Sequence, residues 1–224
     1  MNSINKIKDV KAFQKPQDSI FSKLFTRKLS AVFTFMIIKL DKKATPTQVS
    51  VLSLVLAIIA CSFFIDNNYW VRIAGVVLLQ ISFALDCSDG EIARIKNMSS
   101  KFGAWFDSVS DRFKEMLMFA SLTYLLYAQN QELYGIIIGA TAMVLWLMIG
   151  YLREAKKASW PTTRSAEIHI SKNIYLGTVD TTIYAVCFAV IFNIPLFLLI
   201  LIFVVSIPLI FKQLYSAYKL SKNN

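Results

Sequence analysis

Six apolar stretches, at about residues 46–65, 70–93, 102–128, 133–153, 175–193 and 195–216, occupy most of this 224-residue chain. Each is close to the ~20 residues a helix needs to cross a bilayer. Inside hydrocarbon every backbone N–H and C=O must find a partner within the protein, and a single segment achieves that only as a helix. With 56% of residues hydrophobic, little chain remains for a soluble domain. The pattern predicts an all-α membrane protein: six transmembrane helices in one domain over 45–224, preceded by two N-terminal segments. No internal repeat, low-complexity segment or cleavable signal peptide is visible.

The basic residues give the expected orientation. Lys and Arg number 24 against 14 Asp and Glu, for a net charge of +10. Ten of them precede residue 44. Others flank the turns after the second and fourth spans or close the chain, and only Arg72 falls on the opposite side. The positive-inside rule therefore puts both termini, and the turn near residue 97, on the cytoplasmic face of a multi-pass cell-membrane protein. Anionic headgroups and topology account for the charge, so no nucleic-acid partner is expected. Cys61, Cys87 and Cys187 are isolated within predicted spans and read as small buried side chains.

Residues 1–17 read as a flexible polar tail. From Asp18 to about Leu40, within a segment 18–44, an amphipathic helix is expected. Phe25, Leu29, Val32 and Met36 form one stripe, with Lys23, Arg27, Ser30 and Thr34 opposite. A helix with one basic and one aromatic face lies in the membrane interface; a short first span is the alternative. "ATPTQVS" then opens the first true span. Thr45 is a suitable N-cap, Pro46 suits the first helical position, and Gln48 completes a capping box.

The stretch Leu85–Asp111, between the second and third apolar runs, holds four aspartates and a glutamate. Charged groups at membrane depth are costly and usually functional. Asp86 and Asp89 are three apart and share a helix face, as do Gly103, Asp107 and Asp111, spaced by four. Carboxylates converging from two neighbouring helices would repel one another without a cation between them. An all-oxygen set suits Mg²⁺ or Mn²⁺. His169 is the single histidine, expected in a loop, and this disfavours zinc. Gly90, Ala93 and Gly103 are small enough for a helix or flat ligand to approach closely, though ordinary helix packing also uses such residues. Arg94 suits a phosphate, or serves as a topology-setting charge.

The full spacing, Asp86, Asp89, Gly90, Ala93, Arg94, Gly103, Asp107 and Asp111, resembles the signature of the CDP-alcohol phosphotransferase family. "TPTQVS" is similar to the family's Pro-Asn-x-x-Thr/Ser opening of the first span, with Ser50 in place and Thr47 where asparagine is usual. The resemblance implies transfer of a phosphate-linked alcohol from a CDP-alcohol to an acceptor hydroxyl, with release of CMP. It implies Asp86, Asp89, Asp107 and Asp111 as metal ligands, with Asp111 also the base. Thr47, Ser50, Gly90, Ala93, Arg94, Ser100 and Gly103 fall on positions that face the nucleotide donor. It also implies a homodimer.

For the acceptor, Arg112 directly follows the base, and the longest polar connection, about 154–173, is flanked by or carries Arg153, Lys156, Lys157 and Arg164. These suit a phosphorylated alcohol. "TRKLS", with Arg27 and Ser30, and "GTVD", ending at Asp180, resemble the inositol-phosphate branch of the family. The expected acceptor is inositol phosphate or glycerol phosphate, with serine or a diacylglycerol-type alcohol as alternatives. A six-helix transporter and an inactive scaffold are the competing classes. CMP release separates the first from an enzyme, and four retained buried aspartates argue against the second.

Overall fold

A computed structural model of the chain describes residues 4–15, 18–129, 133–160, 168–171 and 174–222. The elements in order are α1 (Ile7–Val10), β1 (Asp18–Ser19), α2 (Arg27–Leu40), α3 (Pro46–Phe64), α4 (Tyr69–Lys96), α5 (Lys101–Ala128), α6 (Leu133–Ser159), β2 (Ile168–Ser171), β3 (Ile174–Leu176), α7 (Thr178–Ile191) and α8 (Pro195–Lys222). Among the described residues α3, α4, α6 and α8 are long and apolar enough to cross a membrane. The all-α membrane reading therefore holds. α5 carries Asp107, Asp111, Arg112 and Lys114 in its first half, with Glu115 next, and α7 is shorter.

The helix starts follow local chemistry. Thr45 Oγ1 accepts from Gln48 N–H at 3.3 Å while Gln48 Oε1 accepts from Thr45 N–H at 2.8 Å, so the expected capping box forms ahead of Pro46. α4 stops at Asn97, a left-handed residue (φ 54°) that asparagine tolerates. Met98 N–H closes the turn on Ala93 C=O at 2.8 Å. Three residues on, Ser100 Oγ caps α5 by accepting from Gly103 N–H at 3.0 Å. This tight reversal brings the ends of α4 and α5 face to face.

The main core joins Phe64, Leu79, Phe83, Met118, Phe119, Leu122, Trp146, Val186 and Leu199 of the helices α3–α8. Outside it, apolar side chains such as Val55 and Ile58 of α3, Ile137 and Val144 of α6 and Phe197 and Val204 of α8 point outward. That is the pattern of a protein whose solvent is lipid. Small residues set the closest approaches. A Cβ on Gly75 would meet Ala60 C=O at 2.9 Å, and one on Gly139 would meet Thr123 Oγ1 at 2.2 Å.

The N-terminal region departs from expectation in three ways. Within the segment expected as a flexible tail, α1 is followed by a 3₁₀ turn, Lys11–Phe13. Val10 is buried there in a second cluster with Ala31, Leu85, Ile92 and Ile95. Asp18 does not begin a helix: β1 pairs with β3, Asp18 opposite Ile174, and a wide π turn over Ser22–Thr26 leads into α2. Finally, the polar stripe of α2 faces inward. Arg27, Ser30 and Thr34 are buried, whereas Phe25, Leu29 and Met36 are exposed. Among the described residues of the connection after α6, α6 continues to Ser159 and β2 pairs antiparallel with β3, placing His169 opposite Tyr175.

Candidate active site

α4 has 28 residues, which at 1.5 Å per residue is about 42 Å, longer than the ~30 Å hydrocarbon layer. Its last turns carry Asp86 and Asp89, and they meet the first turns of α5, which carry Asp107 and Asp111. Asp86, Asp89 and Asp107 each bring one carboxylate oxygen to within 4.8 Å of the others. Three anionic oxygens this close, with no histidine or thiolate in the group, fit a hard divalent cation. Asp111 stands one turn beyond Asp107 and lines the same cavity without joining that triad.

Side chains of α3 and α5 hold the carboxylates in place. Ser50 Oγ donates to Asp89, and Lys114 Nζ donates to Asp86. Lys114 is buried and also donates to Ser53 Oγ at 2.9 Å. Ser53 in turn donates to Ser82 C=O at 2.9 Å, tying α3 to α4 one turn before Asp86. Ser53 and Lys114 escaped sequence reasoning. The available signal for Lys114 was its place three residues after Asp111, on the same helical face.

The expected donor residues come together. Thr47, Ser50, Gly90 and Ala93 line one cavity of about 450 Å³, and so do Arg94, Ser100 and Gly103. That volume lies in the range of small-molecule sites. The guanidinium of Arg94 folds back along Gly90, where a Cβ would sit 3.4 Å from its NH1. Its Nε donates to the carbonyl of Phe13, and its NH2 is buried with no hydrogen-bond partner among the described residues.

The expected acceptor residues divide. Arg112, Arg153 and Lys157 line the same cavity. Arg112 NH1 pairs with buried Glu115 at 2.6 Å, and Trp146 Nε1 donates to the same carboxylate at 3.4 Å. Lys156 does not join them. It is buried on the far side of α6, donating to Gln213 of α8 at 2.7 Å, and so leaves the acceptor set. A helix turns 100° per residue, which here carries Lys156 round from Lys157 toward α8. Arg164 lies outside the described residues. Asp18, Ser22, Arg27 and Asp180 also line the cavity, with Ser22 Oγ donating to Asp180 at 3.1 Å.

Glu91 is the largest omission from the sequence reading. It is fully buried behind Gly90. Ser30 Oγ and Thr34 Oγ1 donate to it at 2.7 Å each, Gln14 Nε2 at 3.1 Å and Arg27 NH1 at 3.3 Å. The inward polar stripe of α2 exists to meet this carboxylate. An acid one residue from the signature glycine, with a polar stripe on a nearby amphipathic helix, was the signal that could have paired them.

Comparison with known proteins agrees with this site. The family model described as CDP-alcohol phosphatidyltransferase matches residues 43–214. A protein of Aquifex aeolicus named bifunctional IPC transferase and DIPP synthase is 34% identical over 105 residues, 47% of this chain and 23% of the relative. The phosphatidylinositol phosphate synthase of Corynebacterium glutamicum is 28% identical over 118 residues, 52% of this chain and 53% of the relative. The match thus spans about a quarter of the first relative and about half of the second. The crystal structure of Mycobacterium tuberculosis phosphatidylinositol phosphate synthase with CDP-DAG bound superposes with a TM-score of 0.68, at 17% identity, covering 84% of this chain and 93% of the other. That likeness is one of fold. A family match over most of the sequence, an intact eight-residue signature and the convergence of those eight residues on one cavity lead to one conclusion: the chain belongs to the CDP-alcohol phosphatidyltransferase family.

Proposed function

We propose that the chain is an integral-membrane phosphotransferase that moves a phosphate-linked alcohol from a CDP-alcohol to the hydroxyl of a phosphorylated polyol, releasing CMP. One observation carries this reading. A single cavity is lined both by the signature carboxylates with Arg94 and by Arg112, Arg153 and Lys157. One site thus offers groups suited to a nucleotide donor and groups suited to an anionic acceptor. The phosphatidylinositol phosphate synthases among its relatives favour inositol phosphate, with glycerol phosphate second. Ser22 and Asp180 suit the hydroxyls of such an acceptor, since a carboxylate accepts from them.

Asp86, Asp89 and Asp107, with Asp111 beside them, would hold one or more Mg²⁺ or Mn²⁺ ions. When bound, the metal supplies Lewis-acid stabilisation of charge on the diphosphate. The protein's own work is positional and acid–base. Gly90 and Ala93 leave room for the nucleotide against α4, and Arg94 offers its free N–H groups to a phosphate oxygen. Arg112 and Arg153 hold the acceptor phosphate. Asp111 takes the acceptor proton as the hydroxyl oxygen attacks the phosphorus that carries the alcohol. A new P–O bond forms there, and the bridging P–O bond breaks with its electron pair leaving on CMP.

We place α3–α8 as six passes, with the charged half of α5 sheltered by the bundle. The exposed Phe25, Leu29 and Met36 support α2 lying in the interface. The basic residues near the cavity end support a cytoplasmic active site and cytoplasmic termini. The working unit is taken as a homodimer, as the family resemblance implies, and native mass measurement in nanodiscs tests it.

The decisive experiment crosses several CDP-alcohols with several acceptors, using purified protein, Mg²⁺ and CMP as the readout. CMP is expected with a phosphorylated polyol. CMP with an unphosphorylated lipid alcohol only would overturn the acceptor, and no CMP under any pairing would overturn the reaction.

A further inference from the structure

We infer that Glu91 is a positioning residue for the donor, acting through Arg94. It latches Gln14 and the start of α2 to α4 so that the neighbouring carbonyl of Phe13 aims Arg94. The inference rests on the CDP-alcohol reading above. The geometry is continuous. Glu91 Oε1 accepts from Ser30 at 2.7 Å and from Gln14 at 3.1 Å, and Oε2 accepts from Thr34 at 2.7 Å. Gln14 Nε2 also donates to Arg27 C=O at 2.8 Å, closing the segment on itself. The residue before Gln14 is Phe13, whose carbonyl accepts from Arg94 Nε. One carboxylate on α4 thus fixes the backbone that orients an arginine one turn further along the same helix.

The chemistry separates the two arginines on this wall. Arg27 lies between two carboxylates, Asp18 and Glu91, and its Nε and NH1 pair with them as a strut. Arg94 has its Nε held by a backbone carbonyl, while its buried NH2 finds no protein partner among the described residues. A buried guanidinium N–H left open beside carboxylates is set to receive an anionic oxygen. Holding Nε fixes the plane of the guanidinium and so the direction in which the remaining N–H groups point. Ser88 of α4 adds a parallel tie, donating to Ser30 C=O at 3.1 Å. The latch extends through Arg27 to Asp18, which is paired by β1 to β3.

The test uses the full-length protein in detergent or nanodiscs, with CDP as the binding probe in the presence of Mg²⁺ and CMP release as the activity readout. Glu91→Gln keeps the volume and loses the charge and one acceptor oxygen. It is expected to weaken CDP binding and raise the donor KM by about tenfold or more, with the acceptor KM unchanged and kcat within about twofold, because misaligning a binding group costs donor affinity before it costs the acceptor. In an Arg94→Ala background, Glu91→Gln should add nothing further, since both act through one guanidinium. Ser30→Ala/Thr34→Val removes the same bonds from the α2 side and should reproduce the donor-specific effect, giving an independent route should Glu91→Gln fold poorly. The latch is overturned by an unchanged donor KM in both variants, by equal rises in donor and acceptor KM, or by effects of Glu91→Gln and Arg94→Ala that multiply. Absence of both CDP binding and CMP release in the wild type overturns the CDP-alcohol reading itself, a different result from a wild type that binds CDP and variants that match it.

Discussion

The guanidinium of Arg112 occupies the space that a side chain at Gly150 would fill: a Cβ there would lie 2.4 Å from NH1 and 3.0 Å from Cδ. Glu115 pairs with the same nitrogen, NH1 to Oε2 at 2.6 Å. A glycine on α6 and a buried acid on α5 thus fix the direction of one cavity-lining cation.

Gly150→Ala should therefore move Arg112. The displaced atoms belong largely to a flexible side chain, so the fold can adapt. The expected result is a several-fold rise in acceptor KM, on the order of 1 kcal/mol of lost acceptor binding, with donor KM unchanged. Steady-state kinetics with each substrate varied in turn checks it, and an unaltered acceptor KM would count against a role for Arg112 there.

Gly139→Ala should behave differently. Its Cβ would meet Oγ1, Cγ2 and Cβ of Thr123 at 2.2, 2.8 and 3.0 Å, a β-branched group with no room to swing clear. The helices α5 and α6 would have to part, at a cost of about 1–3 kcal/mol. Thermal unfolding in detergent should show the loss, while both KM values of the protein that remains folded stay as in the wild type.

The adjacent lysines of α6 offer a direct comparison. Lys157 and Arg153 line the cavity, whereas Lys156 is turned toward Gln213 and Ser216 of α8. Arg153→Met should raise acceptor KM. Lys156→Met should leave it unchanged and alter only the melting temperature. Equal kinetic effects from the two substitutions would mean that loop charge acts generally, through topology or the membrane surface, and not through contact.

Activity should vanish in excess EDTA and return with Mg²⁺ or Mn²⁺. Asp111→Asn should abolish turnover yet retain CDP binding, because it lies outside the oxygen triad, whereas Asp86→Asn or Asp89→Asn should weaken both. Calorimetric binding alongside CMP release separates these outcomes, with a thermal-melt control for folding. Full CMP release in EDTA would defeat the metal assignment.

The sequence by itself determined what helix geometry and local capping decide. Apolar runs of about 20 residues marked the long helices. Thr45, Pro46 and Gln48 marked where α3 begins, and the three- and four-residue spacing of the aspartates put each pair on one face. These features need no knowledge of neighbours. Tertiary structure decided which way each helix is turned and what each charge meets. The polar stripe of α2 was legible, but it turns inward, where Ser30 and Thr34 meet the buried carboxylate of Glu91. Lys114 read as a flanking charge and Lys156 as an acceptor residue until packing buried each against a partner far away in the chain. Burying a charge is tolerable only where a second group satisfies it. That second group lies in another helix, so the pairing could be found only after the helices had been brought together.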